Sequence, residues 1–233
     1  MTGQRTFKLM AMIELNKIYN ENCLIGMQKI PDESIDCVCT DIPYNKVNRA
    51  SNGLRNLDKG SADIGNFDTS DLTRTLCQKT KGSIYMFCGT EQVSDIRATM
   101  VEKGLTTRLI IWEKTNPSPM NGEKVWLSGV ECCVYGKKSG ATFNEFCKNT
   151  VFRYPVESND IHPTQKPVNL FRRFILASTN EGDTVLDPFM GSGTTAIACI
   201  KEKRNFIGFE LNKEYYDRAC KRIRNEQRQL TLF

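Results

Sequence analysis

The stretch Asp183 to Thr195, DTVLDPFMGSGTT, constrains the fold of this chain more than any other. Val185 and Leu186 supply an apolar strand and Pro188 ends it. Gly191 and Gly193 then allow a turn in which backbone approaches a ligand that a Cβ would push away. Thr194 to Ile200 starts a helix whose free amides face the same point. A buried strand, a glycine turn and a helix in that order are how an α/β sheet holds a cofactor. Gly191, Gly193 and Ala196 fit G-x-G-x-x-A, and Glu210 ends a second apolar run, NFIGFE, at the spacing of a ribose-binding acid. The turn points to an adenosine cofactor without choosing one.

With 233 residues, the chain is long enough for one α/β domain with a small insertion and too short for two full ones. Ten cysteines are scattered, and Cys37, Cys39, Cys132 and Cys133 sit inside apolar strand-like runs, so they read as reduced thiols of a cytoplasmic protein. With no CxxC and one histidine, no metal site is expected. Arg5 and Lys8 precede an apolar run too short for a signal or a membrane span, so residues 1 to 11 read as a loose extension. The net charge of +5 is compatible with a polyanionic partner without demanding one.

Along the chain, strands are expected at Ile13 to Tyr19, Ile35 to Thr40, Ser83 to Cys88 and Leu105 to Glu113. Helices are expected at Cys23 to Lys29, Asp71 to Lys79 and Glu91 to Lys103, the last capped by Thr90 and stopped by Gly104. Glu131 to Tyr135 is a strand that can return antiparallel to its predecessor. The alternation predicts a doubly wound, mostly parallel sheet with one antiparallel strand and helices on both faces. Pro167 suits a helix start, with Val168, Phe171, Ile175 and Leu176 on one face. The final helix, from Lys213 to about Arg228, reads as a solvated charged face. Residues 45 to 66, with Lys46, Arg49, Arg55 and Lys59, read as a long mobile loop, and 136 to 161 as an irregular insertion suited to recognition.

The Asp41, Ile42, Pro43, Tyr44 run places a carboxylate, a constrained backbone and an aromatic ring where a strand ends. Together with DPFMGSGTT and the run HPTQKP at 162 to 167, DIPY resembles the DNA methyltransferases that modify exocyclic amino groups, in the subgroup whose catalytic motif precedes the cofactor motif. The resemblance spans roughly residues 13 to 228 and implies a Rossmann-like, class I S-adenosylmethionine-dependent fold. It implies that Asp187, Phe189, Gly191, Gly193, Thr194 and Thr195 surround the methionine part of S-adenosylmethionine and that Glu210 binds its ribose hydroxyls. It places Asn22 and Cys23 at the adenine, with Asn22 standing where the family usually has Asp, and Thr164 and Lys166 on the cofactor's other side, Lys166 toward its carboxylate. His162 reads as a turn histidine. Ile42 replaces the family's first proline, keeping a backbone carbonyl and losing the fixed φ.

The same resemblance implies that Asp41 and the carbonyl of residue 42 accept the protons of the target amine while Tyr44 stacks on a flipped base. Adenine N6 is the expected target, because an aspartate-led motif resembles the adenine enzymes; cytosine N4 and an inactive DNA-binding relative stay as alternatives. A nicotinamide-dependent oxidoreductase would use GxGxxA and Glu210 but leaves DIPY and HPTQKP without a role. The family implies double-stranded DNA as partner and no membrane, and leaves a homodimer and a restriction endonuclease partner open.

Overall fold

The computed structural model describes residues 13–44, 67–119, 122–157 and 165–230. The expectations for residues 1 to 11, the 45 to 66 loop, His162 and Thr164 lie outside them. Strands form at β1 (Lys17–Tyr19), β2 (Ile35–Asp41), β3 (Thr80–Cys88), β4 (Thr106–Lys114), β5 (Val130–Lys137), β6 (Val151–Tyr154), β7 (Thr184–Asp187) and β8 (Asn205–Phe209). They join in one sheet of order β1-β8-β7-β2-β3-β5-β4-β6. β5 pairs antiparallel with both β3 and β4, while every other pairing is parallel. The predicted α/β class and the antiparallel return of β5 are both present.

Alternation of side chains along β2 explains why both faces are covered. Cys37 and Cys39 join Phe87, Trp112 and Tyr135 under α4 (Val168–Ser178), α5 (Thr194–Lys201) and α6 (Lys213–Leu230). Val38 joins Ile84, Met86 and Leu186 on the opposite face, under α1 (Cys23–Gly26), α2 (Thr69–Lys79) and α3 (Val93–Glu102). From β2 the chain winds toward β3, and from β7 toward β8, so the winding direction reverses between β2 and β7. Such a reversal opens a crevice at the carboxyl ends of the two strands, where ligands bind in open α/β sheets.

Four expectations need correction. The first strand is shorter than predicted, because Asn16 adopts φ +59°, a left-handed turn that ends the extended run before Lys17. Thr90 opens a short 3₁₀ turn rather than capping α3; the side chain of Gln92 instead accepts from the Gly89 amide at 2.9 Å. On α4 the buried face carries Leu170, Phe171, Phe174 and Ile175, and Leu176 faces outward. The segment from 136 is less irregular than expected: its first residues complete β5, and β6 adds a parallel edge strand whose Phe152 meets Phe174 edge to face.

Candidate active site

Asp187 ends β7 and is buried, with each carboxylate oxygen already bonded. Oδ1 accepts from the Thr40 hydroxyl at 2.7 Å and from the Phe189 amide at 3.0 Å, and Oδ2 accepts from the Thr195 hydroxyl at 2.5 Å. These bonds tie β7 to β2 and to the first turn of α5. Burial pushes the Asp187 carboxyl up to about 6, although all three donors favour its charged form. An unfolded aspartate titrates near 3.9, so between about pH 4 and 6 the folded chain holds the extra proton. Stability from this group is therefore full below pH 4 and lost as pH rises through 6, by about 3 kcal/mol. An Asp187→Asn chain will lack that slope, as urea unfolding of both proteins across pH 4 to 7 will read out.

The turn after Asp187 presents backbone. Gly191 adopts φ +50°, and a Cβ built there would meet nothing nearer than the Phe189 carbonyl at 3.9 Å, so one face of the turn is bare. Gly193, at φ +83°, precedes the first residue of α5, a conformation that favours glycine, and Ala219 of α6 packs 3.4 Å from where its Cβ would be. Glu210 follows β8 directly. Its Oε2 accepts from the Gly191 amide at 2.9 Å and its Oε1 from the Asn212 amide at 2.8 Å. Burial raises the Glu210 carboxyl against those two amides. Asn22 caps α1, its side-chain oxygen accepting from the Leu24 amide at 2.8 Å, so the acceptor expected to serve an adenine already has a donor. Cys23 beside it is buried, which pushes its thiol up to about 11.

Asp41 ends β2 on the other side of the crevice. Its Oδ2 accepts from the Lys166 ammonium at 2.5 Å, while Oδ1 is buried without a hydrogen-bond partner among the described residues. Burial pushes the Asp41 carboxyl up, outweighing the opposing charge of Lys166 and the nearby Tyr44 hydroxyl, whose bond within hydrogen-bonding geometry goes to Glu131. Lys166 also lies 3.0 Å from Glu131 Oε2 on β5, and Glu131 Oε1 lies 2.8 Å from Lys114. The Tyr44 hydroxyl donates to Glu131 Oε2 at 3.2 Å. Ile42 donates its amide to the Phe87 carbonyl at 3.1 Å and buries its side chain, so the backbone bond that a proline lacks fixes this turn instead. The Pro43 carbonyl accepts from Gln92 at 3.2 Å.

The described structure thus brings Asp41, Ile42, Pro43 and Tyr44 to the end of β2, and Asp187, Phe189, Gly191, Gly193, Thr194, Thr195 and Glu210 to the turn after β7. Lys166 links the two groups: its ammonium is on Asp41, and its backbone carbonyl accepts from the Thr194 hydroxyl at 3.4 Å. Its ammonium was expected toward a cofactor carboxylate; here it is held by two protein carboxylates. Three residues were missed from the sequence. Glu131 opens a strand and reads as a surface charge; Gln92 reads as helix surface; Arg222 reads as part of the solvated face of α6, yet bonds the Ser192 carbonyl at 3.1 Å.

The chain is similar to known proteins. Residues 121–221 match the family model N6_N4_Mtase, described as DNA methylase. The type II methyltransferase M2.DpnII of Streptococcus pneumoniae is 26% identical over 94% of this chain and 97% of its own length. M2.MboI of Moraxella bovis is 28% identical over 88% of this chain and 86% of its own. The solved structure of M1.HpyAVI in complex with SAM superposes with a TM-score of 0.70 at 30% identity, covering 89% of this chain and 98% of that one. The cytosine-N4-specific PvuII DNA methyltransferase shares the fold at a TM-score of 0.69, with 18% identity over 94% of this chain and 93% of its own. With nearly the whole of a 30%-identical solved relative matched and both motif strands at the sheet's reversal point, the chain belongs to the DNA methylases that modify the amino groups of adenine or cytosine.

Proposed function

We propose that the protein methylates the exocyclic amino group of a base flipped out of double-stranded DNA, using S-adenosylmethionine, with adenine N6 as the target. The observation that carries this reading is Asp41 Oδ1, a buried acceptor without a partner among the described residues, at the carboxyl end of β2 beside the reversal point. A buried, unmatched acceptor costs free energy unless a ligand supplies the donor.

The residues present fit the cofactor. Glu210 sets a carboxylate at the end of β8 with room on its oxygens for further donors, as a vicinal diol requires, and the bare face of Gly191 admits close approach. S-adenosylmethionine supplies a methyl group already activated on a positively charged sulfur. The chain's part is the nucleophile. The lone pair of an amino group on adenine or cytosine is delocalised into the ring. Acceptance of its two protons by Asp41 Oδ1 and the Ile42 carbonyl favours a tetrahedral nitrogen whose lone pair is free. Methylation of that nitrogen would make one amine proton acidic, and Asp41 is the acceptor in reach. Tyr44 stacks on the base. Asn22, Cys23 and Thr164 complete the cofactor assignment, while the Lys166 ammonium serves Asp41 instead.

The segment 136 to 161 is the proposed recognition surface, supported by the exposure of Phe143 and Phe146. The relatives' designation as type II methyltransferases supports a restriction endonuclease partner. Mass spectrometry of nucleosides from DNA incubated with enzyme and cofactor tests the target: N6-methyladenine is expected, N4-methylcytosine would reassign the base, and no modified base would remove the activity. A Glu210→Ala enzyme will bind S-adenosylmethionine more weakly, by about tenfold to a hundredfold for each charge-assisted bond lost, each worth about 1.5–3 kcal/mol. DNA affinity without cofactor will be unchanged. Titration calorimetry showing native cofactor affinity would take Glu210 out of the site.

A further inference from the structure

Glu131 touches no group that the proposed chemistry consumes, yet it anchors the one cation that touches Asp41 among the described residues. The ammonium of Lys166 bridges the two carboxylates, at 2.5 Å from Asp41 Oδ2 and 3.0 Å from Glu131 Oε2, and its side chain is 5% exposed. Glu131 is fixed in turn by Lys114 at 2.8 Å and by the Tyr44 hydroxyl at 3.2 Å. Lys114, Glu131, Lys166 and Asp41 form a line of alternating charge leading from the ends of β4 and β5 to the end of β2.

We propose that Glu131 is a positioning residue for methyl transfer: by holding the Lys166 ammonium on Asp41 Oδ2, it leaves Oδ1 as the oxygen aimed at the target amine and sets how strongly that oxygen draws a proton. This rests on the assignment of Asp41 above. Several groups face Asp41: Lys166 before α4, Glu131 and Cys133 on β5, Cys88 at the end of β3, Tyr44 in its own turn, and Asp187 on β7. Burial pushes the Cys88 and Cys133 thiols and the Tyr44 phenol up, so these three are neutral at working pH. Among the nearest charges, Lys166 favours the ionised form of Asp41 and Glu131 opposes it. Glu131 is itself pushed up by burial but held down at about 2 by Lys166 and Lys114, so its negative charge persists across the working range. An unshielded lysine on Oδ2 would make Asp41 a weak acceptor. Its absence would let the buried carboxyl take a proton and lose its capacity as a base. The bridge sits between these limits.

The two neighbours therefore make opposite predictions. In Glu131→Gln, whose amide keeps the shape of the site, the carboxyl-¹³C NMR titration of Asp41 in the unliganded protein will move to lower pH by about one pH unit, as will the acid limb of kcat. At the optimum kcat will fall on the order of tenfold, since a weaker base accepts the amine proton less readily. In Lys166→Met both midpoints will move to higher pH by about one pH unit or more. Cofactor affinity by calorimetry will stay within about twofold of native in both, because an ammonium locked between two carboxylates is not spent on the cofactor.

An Asp41 titration unmoved in Glu131→Gln, or moved the same way in both variants, overturns the proposal. So does a large loss of cofactor affinity in Lys166→Met with the titration unchanged, which would place Lys166 on the cofactor. If Lys166→Met does not fold, Glu131→Gln alone decides. Full activity of Asp41→Ala would remove the underlying assignment; loss of activity there beside an unmoved titration in Glu131→Gln removes only the role of Glu131.

Discussion

An Asp41→Ala enzyme will transfer methyl groups at least on the order of 10²–10³-fold more slowly than the native one, the loss typical of removing one group that meets developing charge in a dry site. It will bind S-adenosylmethionine with nearly native affinity, because the bonds around Asp187 and Glu210 involve the turn after β7 and α5 and not Asp41. The fold should also survive. Alanine removes a carboxyl whose burial already disfavours its charge, and Lys166 keeps Glu131 as a partner at 3.0 Å. Single-turnover methylation and cofactor calorimetry on the same preparation separate the two effects. A rate near native would end the assignment of Asp41 to the target amine, and parallel loss of rate and cofactor binding would move Asp41 into the cofactor site.

The largest effect on stability is expected at a residue far from any chemistry. β2 and β3 slip in register near their starts: Ile35 lies opposite Thr80, but Cys37 lies opposite Ser83. Gly82 fills the slip, and a Cβ built on it would stand 1.8 Å from the backbone oxygen of Asp36. A side chain could swing away from such a clash, whereas a carbonyl in a ladder cannot without parting the strands. Gly82→Ala will therefore cost about 3 kcal/mol or more, measured as a lower urea midpoint at unchanged slope. Gly104→Ala is the control. Gly104 has φ +80° with open space around its Cβ position, so it should lose only about 1–2 kcal/mol to the left-handed backbone. Equal losses at both sites would mean that the strands at Gly82 give way easily.

How much of this was legible in the chain depends on the range of the forces involved. β2, β7 and β8 were readable because apolar runs ending in acids are local signals, and the glycine turn between Asp187 and α5 is dictated by backbone conformation over a few residues. The left-handed Asn16 was not, because asparagine is only one of several residues that tolerate that conformation. Leu176 reads from the sequence as part of the buried face because a helix pattern of mixed apolar positions leaves the angle of the stripe open until its partner is known; the partner here is the Tyr85 and Phe87 side of the sheet. β6 follows a stretch without periodicity and is extended by pairing with β4, a contact about 40 residues back in the chain. The Lys166 bridge was the least legible. Each of its three residues looks ordinary alone, and only the meeting of β2, β5 and the segment before α4 makes them one site.

The bond between Thr40 and Asp187 joins residues 147 positions apart, and it lies at the place where the two halves of the crevice meet. On the ribosome, the strand bearing Asp41 emerges long before the strand that will lie against its other side. For most of synthesis β2 has β3 on one flank and bare amides and carbonyls on the other, beside the apolar run Ile35 to Cys39, which is the kind of edge that recruits chaperones or neighbouring chains. Closing a loop of that length before any contact rewards it makes the central pairing a slow step. Until residues 184–209 have been made, the chain carries the strand that ends in Asp41 but not the turn after β7, so the two halves of the crevice can meet only late in synthesis.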